Sequence, residues 1–239
     1  MIARGKSLVA EALGTMLLLA AIVGSGIMGE RLSGGNVALA LLANTLATGA
    51  MLVAIILTFG PISGAHFNPV VTLALASQGA FRWSRVPGYI AAQVLGAVAG
   101  VAAAHLMFGE ALFSASLHVR AGGAQLFSEW IATFGLLSVV WGCSRSRPQA
   151  TPFAVGAYIT AGYWFTASTA FANPAVTIAR SLTNTFSGIR PADAPGFIAA
   201  QFVGALCATI VFRWLLAPSP AKETVESQSP RNFPSERNR

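Results

Sequence analysis

Long apolar runs separated by short charged connections set the pattern of this chain. A helix crosses a bilayer with about 20 mostly apolar residues. The first such run, about 7–28, holds a single carboxylate, Glu11. Residues 32–65 carry no charged side chain, a run too long for one span. Arg82 and Arg85 follow, and a third span fills 86–109. A polar connection with Glu110, His118 and Arg120 leads to a fourth span near 124–144, which holds Glu129 and ends at Arg145 and Arg147. Residues 148–179 are again uncharged, and Asp193 and Arg213 bracket the last span. From Pro218 onward Pro, Ser and charges dominate, the composition of a disordered tail.

Both overlong runs lead into the same motif. Ser63-Gly64-Ala65-His66-Phe67-Asn68-Pro69-Val70-Val71-Thr72 returns as Ser168-Thr169-Ala170-Phe171-Ala172-Asn173-Pro174-Ala175-Val176-Thr177, identical at six positions. Asn is a preferred N-cap and Pro is preorganised for the first helical position, so each copy predicts a short helix starting inside apolar surroundings. The first N–H groups of such a helix have no helical partner. In lipid that is tolerated only where the backbone lines a watery cavity or is buried in protein. One Asn-Pro would read as a cap at a structural turn; a duplicated pair reads as a built site.

A second repeat backs the first. Residues 87–97, Pro-Gly-Tyr-Ile-Ala-Ala-Gln-Val-Leu-Gly-Ala, match 195–205 at eight of eleven positions, and Glu11 and Glu129 each stand near the start of a half. The chain thus divides into repeat one, about 5–109, and repeat two, about 124–217, within a membrane domain of 1–217 followed by the 218–239 tail. Each half contains three spans and one half-helix. An odd number of spans inverts the second copy, so the half-helices enter from opposite sides and their N-termini meet near the midplane. The expected fold class is an all-α polytopic membrane protein with six transmembrane helices and two re-entrant half-helices.

Composition agrees. With 54% hydrophobic and 10% charged residues and a mean hydropathy of +0.64, the chain carries more apolar surface than a soluble domain could cover. The net charge of +7 lies in short loops rather than on a basic face, so it reads as topology and not as nucleic-acid binding. With both termini inside, eleven basic residues fall on the cytoplasmic side and four, Arg31, Arg120, Arg180 and Arg190, outside. Arg4 and Lys6 before an apolar run resemble a signal peptide, but Glu11 and the later spans favour an uncleaved first span. Cys143 and Cys207 lie in apolar segments with no disulfide or metal spacing. No cofactor, metal or nucleophile–base pair is implied, so an enzyme is not expected.

The paired Asn-Pro half-helices, Ser-Gly-Ala-His-Phe-Asn-Pro at 63–69, and the Glu-led halves resemble the aquaporin (major intrinsic protein) family over about 5–217. The resemblance implies one pore per subunit, a homotetramer, and a midplane built by Asn68, Pro69, Val70, Asn173, Pro174 and Ala175. The two amides would donate to a passing oxygen and break a proton wire, while the opposed helix dipoles reject cations. Glu11 and Glu129 would accept hydrogen bonds from the loop beneath each half-helix, the alternative being a proton relay. His66 would line the cytoplasmic vestibule. Gly96 and Gly100, echoed by Gly204 and Ala208, have the small-xxx-small spacing of close helix crossings.

Most family members place Arg directly after the second Asn-Pro-Ala, in the narrow outer filter; here Val176 stands there and Arg180 follows one turn on. By motif offset the filter would be Thr48, Ala161, Ala170 and Val176, wide and weakly polar. A one- or two-residue slip would bring in Tyr163 or Trp164 instead, and Arg180, placed with His66 among the vestibule residues, could reach back. The implied function is passive passage of small uncharged solutes: water, glycerol-type polyols, and arsenite or methylated arsenicals, since 171–183 resembles a bacterial subgroup encoded beside arsenic-resistance genes. The alternatives are a water-selective channel, a coupled secondary transporter, and a junctional protein with a closed pore. The expected setting is the bacterial inner membrane, with the lipid bilayer and small neutral solutes as partners.

Overall fold

The computed structural model describes residues 4–217, all helical or irregular, with no strand among them. The tail read as disordered lies outside the described residues. Eight α-helices occur in order: α1 Arg4–Leu32, α2 Val37–Ser63, α3 Pro69–Ser77, α4 Val86–Phe108, α5 Gly123–Ser146, α6 Thr151–Phe165, α7 Pro174–Arg180 and α8 Ala194–Leu215. Helices α1, α2, α4, α5 and α8 are long and apolar enough to cross a membrane. Helix α6 has only 15 residues, about 22 Å at 1.5 Å per residue. A 3-10 turn, Pro148–Ala150, precedes it and a non-helical stretch follows, so the sixth crossing is completed by irregular backbone.

The packing repeats itself. Helix α1 lies against α2 and α4 as α5 lies against α6 and α8, α2 meets α6, and the half-helices α3 and α7 meet each other while each touches both α4 and α8. Every such pair maps onto another, or onto itself, when one half is exchanged for the other. That is the two-fold relation expected of an inverted repeat.

Glycine sets the closest crossings. A Cβ added at Gly96 would overlap the Ala12 carbonyl of α1, one at Gly100 the Met16 carbonyl, and one at Gly204 the Trp130 carbonyl of α5. Where α2 crosses α6, a Cβ at Gly49 would first meet the Thr160 side chain, and one at Gly156 the Val53 side chain and then the Gly49 carbonyl. Backbone cannot give way as a side chain can, so Gly96→Val is expected to destabilise by about 3 kcal/mol or more, the upper end for overpacking. The midpoint of thermal unfolding in detergent checks this. Gly60→Ala, where the new Cβ meets nothing within 4 Å, should leave that midpoint unchanged or slightly raised.

Candidate functional site

The two motif loops carry the site. Asn68 and Asn173 have extended backbones and cap α3 and α7, each Oδ1 accepting the N–H two residues on, Val70 at 3.0 Å and Ala175 at 3.0 Å. Each amide then donates across the molecule: Asn68 Nδ2 to the Ala172 carbonyl at 2.7 Å, and Asn173 Nδ2 to the Phe67 carbonyl at 2.8 Å. This exchange ties the half-helix N-termini together at the centre and leaves each amide a second N–H. Both asparagines line the central cavity. Pro69, Val70, Pro174 and Ala175 are buried in the first turns behind them; the valines one residue on, Val71 and Val176, face the cavity instead.

The loops reach this position through strained backbone. Ala65 (φ 51°), Phe67 (φ 48°), Thr169 (φ 62°), Ala170 (φ 48°) and Ala172 (φ 47°) are left-handed without being glycine. Each such residue costs about 1–3 kcal/mol, so the surroundings must over-determine it. The two intramembrane carboxylates do so. Glu11 accepts the His66 N–H (3.0 Å), the Phe67 N–H (2.7 Å), the Ser63 hydroxyl (2.7 Å) and Gln93 Nε2 (2.8 Å). Glu129 accepts the Phe171 and Ala172 N–H groups, both at 2.9 Å, and Gln201 Nε2 at 2.6 Å. Charge-assisted bonds are worth about 1.5–3 kcal/mol each, enough to offset the strain. This geometry supports the scaffold reading of the glutamates. Neither lines the cavity.

Gln93 and Gln201, members of the second sequence repeat, were not read as site residues. Each donates to its glutamate and also to a threonine hydroxyl, Thr72 at 2.9 Å and Thr177 at 2.9 Å. Those hydroxyls donate in turn to the carbonyls of Asn68 (3.0 Å) and Asn173 (2.9 Å). Their recurrence at matched positions of both repeats was the available signal. Thr72 also settles the state of His66. Its one hydrogen goes to Asn68, so His66 Nδ1 at 3.1 Å must be the donor. His66 lines the cavity beside Phe81 and Tyr89, on the side of the bundle where α1 begins and α8 ends.

The cavity has a volume of about 310 Å³ and runs from Ser144 and Thr151, where α5 ends and α6 begins, past both asparagines to Arg180. Its wall follows helical stripes: Leu18 and Ile22 on α1, Leu136 and Val140 on α5, and Thr151, Val155, Ile159 and Tyr163 on α6. The last stripe corrects the filter. Thr48, Ala170 and Val176 line the cavity as expected, but Ala161 is exposed on the other face of α6. Tyr163 faces the cavity instead, its hydroxyl 3.3 Å from Thr48 Oγ1. Trp164 is half exposed and off the cavity. A spacing of four from Thr151 fixes which α6 residues face inward, and the offset count from Asn173 missed it. Arg180, expected in the vestibule, is buried, with 2% exposure, and lines the cavity together with Val176.

The loops around this end are pinned by charge. Arg120 donates to the carbonyls of Gly188 (2.8 Å) and Ser168 (3.2 Å), and its own N–H is accepted by Asp193 at 2.9 Å. The Asp193 carboxyl is held below the usual carboxylate range, first by its hydrogen bond from Arg190 at 2.7 Å. His105, in the last turn of α4, is fully buried and bonds Thr183 at 2.7 Å, anchoring the loop that follows α7.

Two opposed, Asn-capped half-helices meet at one central cavity, and the sequence that builds them matches a known family. The model of the major intrinsic proteins matches residues 2–167 and 146–235, nearly the whole chain. The chain belongs to the major intrinsic protein family. It is 54% identical over 226 residues to the aquaglyceroporin AqpS of Rhizobium meliloti (strain 1021), covering 95% of this chain and 96% of that one. It is 32% identical over 234 residues to the probable aquaporin NIP7-1 of Arabidopsis thaliana, covering 93% and 82%. Among solved structures, the aquaglyceroporin from Plasmodium falciparum superposes with a TM-score of 0.69 over 90% of this chain and 98% of its own, at 22% identity, which speaks for the fold. A major intrinsic protein is a multi-pass membrane channel, and this chain is a passive channel rather than an enzyme.

Proposed function

We propose that the channel conducts water and small uncharged hydroxylated solutes of the glycerol type, with arsenous acid and its methylated relatives as further candidates. The observation that carries this reading is the lining of the cavity: hydroxyls of Thr48, Ser144, Thr151 and Tyr163, two amides, the His66 imidazole, the Arg180 guanidinium and aliphatic walls, with no carboxylate among the lining residues. Neutral oxygen-bearing molecules find donors and acceptors there, and a cation-coupled cycle finds no carboxylate to bind the ion. The similarity to a protein described as an aquaglyceroporin points the same way. The exchange of Ala161 for Tyr163 favours a second reading. A phenol hydrogen-bonded to Thr48 narrows the filter, so a water-selective pore is the competing outcome.

We read the chain as a homotetramer of the bacterial inner membrane with both termini cytoplasmic, in line with the distribution of its basic residues. Arg180, Tyr163 and Thr48 then lie toward the outside and His66 toward the cytoplasm.

Stopped-flow light scattering on proteoliposomes tests the substrate reading. Water, glycerol and arsenous acid uptake are compared with empty liposomes. Glycerol uptake that rises linearly with its gradient and ignores an imposed pH gradient is the expected result. Water flux alone would establish the narrower filter, and flux that saturates or follows the pH gradient would overturn the passive reading.

A further inference from the structure

The C-terminal ends of α5 and α8 enclose a second cavity, of about 500 Å³, which the channel reading does not use. Together with Gln78, at the end of α3, it is lined by Arg145, Arg213, Ser144, Thr209 and Trp141, and no carboxylate is among the lining residues. The Trp141 indole donates to the Thr209 hydroxyl at 3.3 Å, and that hydroxyl donates to the Ala205 carbonyl, so both are spent on the wall. The guanidiniums are not. Arg145 gives one nitrogen to the Leu216 carbonyl at 2.6 Å, which fixes it at the rim, and keeps its other N–H groups. Arg213 makes no ion pair among the described residues. Topology alone would spread basic residues along the loops of this side, as it does Arg147, which does not line the cavity. Two guanidiniums on one cavity with no acid make it a site for an anion, and their planar forks match a phosphate.

Depth and surroundings decide which phosphate. Arg145 and Arg213 stand just before the helix ends at Ser146 and Leu215, where long basic side chains reach the membrane–water interface. Cytoplasmic leaflets hold anionic lipids, and basic pockets between helices on that side take their head groups. Next to the cavity, Val203, Leu206, Ile210 and Trp214 are exposed at helical spacing on α8, an apolar stripe that runs from the level of the cavity into the membrane. We propose that the cavity binds the phosphate head group of one anionic phospholipid of the cytoplasmic leaflet, with Arg145 and Arg213 on the phosphate and the acyl chains along the α8 stripe. A soluble phosphate would use the arginines but gain nothing from the stripe. Ser144 lines both this cavity and the central one, so the head group sits beside the pore's cytoplasmic mouth. The choice of leaflet rests on the orientation proposed above; the binding itself does not depend on which solutes the channel conducts.

The test uses the full-length protein in neutral detergent, with phosphatidylglycerol and phosphatidylcholine adducts followed by native mass spectrometry through a lipid titration. The parent is expected to bind one phosphatidylglycerol per chain about tenfold more tightly than phosphatidylcholine, and added salt should weaken that preference. Arg145→Gln combined with Arg213→Gln should abolish it. Arg213→Gln alone, which breaks no ion pair, should lower phosphatidylglycerol affinity about fivefold and decides the matter if the double variant fails to assemble. Arg147→Gln deletes the same charge from the same surface outside the cavity and should leave the affinity at the parent value. An equal loss in Arg147→Gln would reveal diffuse attraction without a site and overturn the proposal. Equal binding of the two lipids by the parent, or an unchanged affinity in Arg213→Gln, would overturn it as well. Displacement of the lipid by millimolar inorganic phosphate would make the cavity a site for the soluble ion, which again overturns the lipid assignment. Water and glycerol flux are read separately in proteoliposomes, so a failure of the channel reading leaves the lipid result standing.

Discussion

Glu129→Leu is expected to collapse the half of the pore that α7 builds. Leucine is close in volume and suits the apolar surroundings, so packing alone predicts little harm. Hydrogen bonding predicts the opposite. The Phe171 and Ala172 N–H groups and Gln201 Nε2 would lose their acceptor in a fully buried site. Each unsatisfied donor costs about 1–3 kcal/mol, about 3–9 kcal/mol together, against a total stability of about 5–15 kcal/mol. The left-handed residues Thr169, Ala170 and Ala172 would lose what holds them, and the Asn173 cap would move with them. Monodisperse yield and thermal unfolding in detergent measure this directly. Glu129→Gln, which keeps one acceptor oxygen and turns an N–H₂ toward other donors, should fall between parent and Leu variant. A Leu variant that melts and conducts like the parent would show that the carboxylate does not hold the loop.

Val176→Arg is expected to lower glycerol flux at least about tenfold while reducing water flux less. Val176 is buried, lines the cavity and stands four residues before Arg180 on α7, so the two side chains share one helix face. A second guanidinium there fills part of the bore, and two like charges about 6 Å apart repel by about 3 kcal/mol at an effective dielectric of 20. A barrier rise of 1.36 kcal/mol is already tenfold, so bulk and repulsion need not act in full. Parallel water and glycerol measurements, with size-exclusion profiles to confirm assembly, separate a narrowed filter from a misfolded one. Glycerol flux equal to the parent's would show that Val176 is not on the permeation path.

The amino-acid sequence determined most of the architecture, because the bilayer leaves few options. Uncharged runs longer than one span, the twofold Asn-Pro motif and its matched second repeat required re-entrant half-helices in an inverted arrangement. The Asn68 and Asn173 caps, the inward glutamates and the Gly96 and Gly204 crossings followed from local chemistry: orphan N–H groups need acceptors, and close backbones need glycine. Tertiary structure decided which faces turn inward. The offset from Asn173 back to α6 depends on how tightly residues 166–172 fold, and only the packing of α6 against α2 selects Tyr163 over Ala161. Gln93 and Gln201 recur at matched positions of the repeat, but only helix docking brings their amides onto a glutamate and a threonine. Arg180 was visible as a basic residue one turn past the motif. Its burial against Phe171 and Ser187, which turns a loop charge into a lining charge, exists only once the chain after α7 folds back over the helix end.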